Sequence, residues 1–477
     1  MTMIRRKITP LGALSIKPKT GTFPRPHVSV VPAIAKLKLI CIVAWAFMTI
    51  GLSTLSLPVQ GAPPPPGTPS LSPSGTLNYE ESVRIALNQS PFLTKSSLEI
   101  DLRRLDESDS RYGLIPSIDF RTYYYANRPI GSTGPPYSLN FSTDPNYNPL
   151  SSYFSLQAQK LATEAAILTH MKAISVGLDR LGQIFLELDF LKKRIPCLKD
   201  QVNLCREQLA YAENRFSAGT GTSLEIMEAQ QGIKMAQQGL EHTTLLQKQA
   251  LDSLKNFLGL DPAQALTPDL QDTHRQVLGS FDPASVTWEQ AKSRSYDLKL
   301  TEIIIKLQAY NVKLAKAKIL PNILFTTLTP DPLSSTSYGL YAGVGLYVPV
   351  WDGFRRIRNV TRQKIILKQY NSGKSQSEKD LENKLQESQS TVKETALTLQ
   401  LTQSKLELIQ LRARQIEIRY QSGGVLLPDV LTSRRAVLDA KDNALAMAME
   451  YGKAVLALRQ ISGDLGHTYV NASSWQK

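Results

Sequence analysis

The chain has 477 residues, of which 42% are hydrophobic, 20% charged and 7% aromatic, an ordinary balance for a folded protein with room for several cores or one repetitive architecture. Its formal charge is +14, yet eight basic residues (Arg5, Arg6, Lys7, Lys17, Lys19, Arg25, Lys36 and Lys38) precede the first acid, Glu80. The excess that remains is spread along the chain with no basic, aromatic-interleaved patch, which argues against nucleic acid as a partner.

Residues 1–61 read as an export signal: a long basic leader, the apolar run Leu39 to Leu52, and small residues near Gly61 and Ala62. The competing reading is an uncleaved anchor, since Leu39 to Leu57 approaches the ~20 residues that span a bilayer. Ser53, Thr54 and Ser56 weigh against it. Cys41 falls inside the apolar run and reads as part of the signal. Export permits disulfides, but Cys197 and Cys205 are eight residues apart on one helix, about 12 Å along its axis and too far to bridge. Both read as small buried hydrophobes.

Residues 62–76 form a proline-rich linker, and structure is expected from Leu77. A short amphipathic helix carries Val83, Ile85 and Ala86 and stops before Pro91; a second runs from Phe92 to about Leu114. From Ser117 the period becomes two: Ile118, Phe120, Thr122 and Tyr124 alternate with more polar neighbours. A loop rich in Gly, Pro, Ser and Asn is expected over 126–149, and a second strand where Phe154, Leu156 and Ala158 alternate. From about Gln159 to Phe216 the pattern is helical, interrupted by Gly177, Gly182 and Pro196, with a kink expected at the proline. The turn Ser217 to Thr222 leads into a helix from Leu224 to Leu258 closed by Gly259, so the two form an antiparallel coiled-coil hairpin.

The elements then recur. Leu77 to Glu81 returns as Val286 to Gln290, while Arg215, Phe216, Gly219 and Gly259 return as Arg419, Tyr420, Gly423 and Gly463, all at an offset of 204. The sequence is a tandem duplication: a first repeat at 77–265, a linker at 266–285, a second repeat at 286–465 and a tail at 466–477. In the second repeat Ile323, Phe325 and Thr327 mark one strand. The other has Leu340, Val344, Leu346 and Val348 on one face, with glycine and tyrosine on the other.

Phe354 to Gln421 has no proline, and as one helix it would be about 100 Å long. Leu381, Leu385, Val392, Leu399, Leu406, Ile409, Ala413, Ile416 and Tyr420 recur along it at heptad steps, with Glu, Gln, Lys and Arg between. So narrow a stripe must be buried on other long helices. A return helix is expected from Asp429 to about Ile461, after the turn Ser422 to Gly424.

Four alternating strands cannot close a barrel alone, and in hydrocarbon no edge may stay unpaired. Three chains would supply twelve strands and gather the long helices into a hollow cylinder beneath them. The expected fold is therefore mainly α with a β-barrel part: tandem coiled-coil hairpins that gather, in a closed oligomer, into a tunnel beneath an outer-membrane β-barrel.

The chain resembles the TolC-like outer-membrane efflux proteins over about residues 77–465. The resemblance rests on Leu77 to Glu81 with Ala86 and Leu87, Leu114 to Ser117, Arg215 and Phe216 with Gly219, and Leu258 to Leu260. It continues in Val348 to Gly353 and in Arg419 and Tyr420 with Gly423, Asp429 and Val430. It implies a homotrimer in the outer membrane, with long coiled-coil hairpins forming a trimeric α-helical barrel and four strands per chain contributing to a twelve-stranded β-barrel, in contact with its lipid and projecting into the periplasm. Its partners would be a periplasmic adaptor (membrane fusion) protein and an inner-membrane transporter, and it would serve as passive exit duct for efflux or type I secretion. No cofactor is implied.

In that family the turns between long helices form a tip where the pore narrows. Gly219 and Gly423 fall in these turns, and Glu225, Asp429 and Tyr420 fall beside them. Three copies of each acid would make carboxylate rings that favour cations. They read equally well as helix N-terminal acids stabilised by the macrodipole, and Tyr420 as a seam aromatic. Val425 stands where some members carry a basic residue that locks the tip. The first repeat lacks the handover seen at Pro349 to Gly353, and its first long helix reads as shorter.

No catalytic site is expected. The five histidines are scattered, no Cys or His pair has metal spacing, and no phosphate-cradling glycine loop occurs. The alternative function is a periplasmic coiled-coil structural or adaptor protein, which would show one helical hairpin between β-rich halves rather than two hairpins with paired strands.

Overall fold

The computed structural model describes residues 76–117, 119–124, 137–144, 147–264, 266–279, 281–328, 341–348 and 351–469, all within the unit Ser74–Lys477. The export signal, most of the linker, and the tail beyond 469 lie outside them.

Strand β1 (Thr76–Leu77) pairs in parallel with β4 (Thr267–Pro268). Helix α1 (Tyr79–Gln89) begins at a capping box, in which Asn78 and Glu81 satisfy each other's backbone amides. Ser90 ends α1 and begins α2 (Pro91–Tyr112), with Pro91 at the first helical position. The second repeat uses the same device: Ser295 ends α6 (Trp288–Arg294) and caps α7 (Tyr296–Ala317), its Oγ accepting from the Leu298 amide at 3.4 Å.

The long helices are α3 (Pro149–Ser217, 69 residues), α4 (Ser223–Leu258, 36 residues), α8 (Arg355–Gln421, 67 residues) and α9 (Leu427–Ile461, 35 residues). Short α5 (Thr273–Leu278) lies between the repeats, where Leu266, Leu270 and Val277 are buried, and α10 (Asp464–Tyr469) follows α9.

Two features of the first repeat differ from the sequence expectation. The second strand is β3 (Tyr137–Ser142), inside the expected loop, and the stretch expected to be that strand is the start of α3. The local cause is Asn148. Its Oδ1 accepts from the amides of Leu150 and Ser151, both at 3.1 Å, while its Nδ2 donates to the carbonyls of Ala317 and Pro321. With Pro149 next, the chain is committed to a helix docked on the end of α7. The first long helix is consequently as long as its counterpart, not shorter.

Gly177, Gly182 and Pro196 do not interrupt α3. A Cβ on Gly182 would stand 2.9 Å from Leu456 of α9, and one on Gly452 of α9 would stand 3.0 Å from Leu186 of α3. Each helix thus presents a glycine to a leucine of the other, and the two repeats pack closely there. Nearby, Tyr79 and Phe185 meet edge to face at 5.4 Å, both fully buried.

The remaining packing gives four rows. Towards the sheet, α2 packs on α3, α3 on α7 and α7 on α8; towards the turns, α4 packs on α3, α3 on α9 and α9 on α8. Helices α3 and α8 run the full length, while α4 continues the row of α2 and α9 that of α7. The two halves of the chain thus interlock with one layout of helices.

Strands β2 (Asp119–Tyr124), β3, β5 (Asn322–Leu328) and β6 (Tyr341–Tyr347) make one antiparallel sheet in that order. The register sets Phe120 against Phe141 and Phe141 against Thr327, then Ile323 against Leu346 and Phe325 against Val344. The sheet is open, with β2 and β6 at its edges.

Along α8 the expected seam is confirmed: Leu385 and Val392 are buried, and Leu381, Leu399, Leu406, Ile409, Ala413 and Ile416 are half-buried, whereas Tyr420 is exposed. The residues between are not all polar. Leu397, Leu401, Leu408, Leu411 and Ile418 form a second heptad series, each at least 47% exposed. It is displaced by two positions from the buried one, or about 200° around the axis. Helix α8 therefore has apolar seams on opposite faces, only one of which is covered among the described residues.

Candidate functional site at the hairpin turns

Both hairpins turn through a glycine at positive φ, Gly219 at 74° and Gly423 at 78°. In the first turn the amides of Thr220 and Gly221 both donate to the Arg215 carbonyl, at 2.9 and 3.0 Å, and Thr222 Oγ1 caps α4 by accepting from the Glu225 amide at 3.3 Å. In the second, the Gly424 amide donates to the Arg419 carbonyl at 2.8 Å, but the cap is Leu426, which has no side-chain acceptor. Pro428 supplies the helical φ there instead.

Glu225 is half-buried and engaged. Arg215 Nη1 donates to its Oε2 at 3.1 Å, while Arg215 Nη2 donates to the Thr220 carbonyl at 2.9 Å. One guanidinium thus ties the carboxylate to the turn. Asp429 is exposed in the first turn of α9, and Tyr420 is exposed at the end of α8. Pro428, the neighbour of Asp429, lines the same cleft as Arg215, Glu225 and Arg435, so the two turns meet at one end of the molecule. Cys205 lies in that cleft, packed with Val202 and Ala236; burial pushes its thiol pKa up, which leaves it a protonated hydrophobe. Cys197, expected to be buried as well, is only partly so.

Further along, Arg434 of α9 lies 2.6 Å from Glu417 of α8 and 3.4 Å from Glu207 of α3. The Glu417 hydrogen bond raises the Arg434 pKa above its ordinary value. This guanidinium joins three helices from both repeats. Glu417 and Glu207 are 17 residues before and 227 residues before it, so only the fold reveals the cluster. The Arg215–Glu225 pair was within reach of the sequence, as opposite charges ten residues apart across a turn.

The architecture matches solved structures. CusC, in a structure concerned with conformational changes accompanying folding and transmembrane channel formation, superposes with a TM-score of 0.68 at 14% identity, over 81% of this chain and 92% of that one. The CmeC outer membrane channel of Campylobacter jejuni gives 0.67 at 16% identity, over 83% and 88%. The outer membrane protein VceC of Vibrio cholerae gives 0.64 at 14%, over 81% and 96%. At such identities the likeness establishes the fold. The sequence profile described as "Outer membrane efflux protein" matches residues 83–260.

By this match residues 83–260, more than a third of the chain, are similar to the outer membrane efflux protein family. No relative among curated proteins matched its sequence. Profile and architecture together are those of non-enzymatic outer membrane channels that extend into the periplasm. The matched segment contains Gly219 and Glu225; Gly423, Tyr420 and Asp429 belong to the second copy of the duplication.

Proposed function

We propose that three copies of this outer membrane efflux protein close into a single duct, with a twelve-stranded barrel above a cylinder of long helices. The observation that carries this reading is the pair of opposite apolar seams on α8. A helix apolar on two opposite faces is a stave with a neighbour on each side. The open sheet makes the same demand, because its two edges must be paired in a membrane, and channels of this family typically form trimers.

In this reading residues 1–61 are the export signal, 62–76 the linker, and 77–265 and 286–465 the two repeats, separated by 266–285 and followed by the tail 466–477. The hairpin turns form the periplasmic end. There Glu225, Asp429 and Tyr420 of three protomers narrow the pore, and a periplasmic adaptor protein would dock and connect it to an inner-membrane transporter of a tripartite efflux or type I secretion system. The duct is passive and its carboxylate rings favour cations over anions.

The test is the mass of the protein purified from outer membranes in detergent, followed by conductance in planar bilayers. A trimer whose cation preference falls in Glu225→Gln/Asp429→Asn supports the reading. A soluble periplasmic monomer overturns it.

A further inference from the structure

Towards the sheet the helices stand in the row α2, α3, α7, α8, which leaves α2 and α8 as its two ends. Both ends carry an uncovered face. On α2, Leu93 and Ile100 are buried against the chain, whereas Leu98, Leu102, Leu105 and Tyr112 are 57% to 70% exposed at heptad spacing on the opposite side. Asp109 falls within that stripe, and Asp101 and Asp106 flank it. On α8, Val360 is buried and Gln363 accepts from Gln308 of α7 at 2.8 Å. Phe354, Arg358, Arg362 and Ile365 are exposed on the far side, with Arg355 beside them.

The two faces are opposite in charge. From Gly353 to Ser377 the chain has no acid. Arg356 is engaged within the chain, donating to the Lys318 carbonyl at 2.7 Å and lying 3.7 Å from Asp352. Among the described residues Arg355, Arg358 and Arg362 have no ion-pairing partner. On α2, Asp101 pairs with Arg104 at 3.9 Å and Asp106 with Arg103 at 3.4 Å, one turn away on the same helix. Such exposed pairs are weak enough to exchange for others.

The duplication sets the levels of these charges. Inside the chain the long helix of the first repeat meets the short helix of the second: Asn148 donates to the Ala317 carbonyl at 3.2 Å, and the rings of Phe154 and Tyr310 lie 6.5 Å apart. The corresponding contact for α8 is with the α2 of another copy, since its own lies at the other end of the row. The repeat offsets are 204 for the long helices (Arg215 to Arg419) and 205 for the short ones (Pro91 to Tyr296). Applied to these two contacts, they bring Arg355 level with Asp109, Arg358 with Asp106 and Arg362 with Asp101, each within one turn.

We propose that this end of α8 docks on α2 of the next copy, where Arg355, Arg358 and Arg362 pair with that copy's Asp109, Asp106 and Asp101 beside a contact of Ile365 with its Leu98. The docking rests on the reading of the protein as a closed ring of copies. Charge also selects between the two short helices, because over the matching stretch α7 carries Lys306, Lys313 and Lys316 and no acid beyond Glu302. The arginines of α8 are repelled by α7 and attracted by α2, so copies join head to tail in one order.

The test uses the full-length protein in detergent. Under mild oxidation Arg358→Cys/Asp106→Cys should give disulfide-linked dimers and trimers on a denaturing gel, which neither single variant gives and which reductant removes. Arg355→Glu/Arg358→Glu/Arg362→Glu should raise the concentration at which the trimer dissociates by at least about tenfold, read by light scattering on dilution. Adding Asp101→Arg/Asp106→Arg/Asp109→Arg should restore it. If the unmodified protein is a conducting trimer, absence of the cysteine link, indifference to the reversal or failure of the rescue overturns the docking alone. An unmodified protein that forms no trimer overturns the duct, and the docking with it.

Discussion

Gly259 closes against Gln89: a Cβ at 259 would stand 2.9 Å from the Gln89 carbonyl oxygen. In the second repeat Gly463 closes in the same way against Arg294, whose carbonyl oxygen would be 3.0 Å from its Cβ. Both glycines have positive φ, at 72° and 74°. Each return helix therefore ends where the first short helix of its own repeat ends, and the contact seals the repeat.

This pairing makes both positions intolerant of a side chain. Gly259→Ala combines the cost of a left-handed backbone with a clash against main chain, and it is expected to destabilise by about 2 kcal/mol or more. Gly463→Ala should cost a similar amount. Urea unfolding in detergent measures both, with Gly373→Ala, in open space on exposed α8, as the comparison that should lose nothing.

Asp179 sets a pH dependence. It is buried on α3, its Oδ2 accepts from Gln183 Nε2 at 2.8 Å, and its pKa is raised to about 6 by burial, against a smaller lowering from that hydrogen bond. Because the folded pKa lies above the unfolded one, the charged carboxylate penalises folding. The penalty is absent below about pH 4, grows between 4 and 6, and is complete above 6. Asp179→Asn keeps an acceptor for Gln183 and should stabilise by roughly 2–3 kcal/mol at pH 7.5 but by little at pH 4. Melting curves across this range check the sign.

The uncovered seam of α8 should decide assembly. Leu408→Glu/Leu411→Glu places charges on the exposed face while leaving the seam towards α9 intact. The expected product is a helical monomer by light scattering and circular dichroism. A trimer formed by this variant would show that the chains do not meet along α8.

At the first turn, Arg215 and Glu225 are both more than a third exposed, so their pair is worth at most about 1 kcal/mol. Arg215→Ala should leave thermal stability nearly unchanged and release the Glu225 carboxylate. If that carboxylate faces the pore, cation selectivity rises, and Arg215→Ala/Glu225→Gln reverses the gain. Reversal potentials measure both.

Much of this fold is legible in the sequence because duplication prints every signal twice. The constant offset from Arg215 to Arg419 and from Gly259 to Gly463 locates both hairpins, and the heptad through Leu385 and Val392 locates the buried side of α8. What escaped has physical reasons. Strand β3 has Tyr137, Leu139 and Phe141 at period two, but the glycine, proline and asparagine around it favour a loop. The alternation of Phe154, Leu156 and Ala158 is compatible with either period over so short a run, and Asn148–Pro149 was the stronger signal. The second seam of α8 was hidden because leucines on opposite faces blur a single-stripe pattern. At the turns, Gly219 and Gly423 fall where the spacing placed them, whereas the Arg434 cluster depends on residues far apart in the chain.

The reciprocal glycines on α3 and α9 also bear on how the proposed duct would dilate. With Leu456 seated over Gly182 and Leu186 over Gly452, sliding one helix along the other would drive each leucine into a neighbouring side chain. Shear is thereby blocked at that level, and splaying remains. The turns lie about 40 Å further on, so a tilt of roughly 5° there displaces them by about 3–4 Å. In the proposed duct the glycine pair would act as a fulcrum, turning small angular changes near it into aperture at the far end.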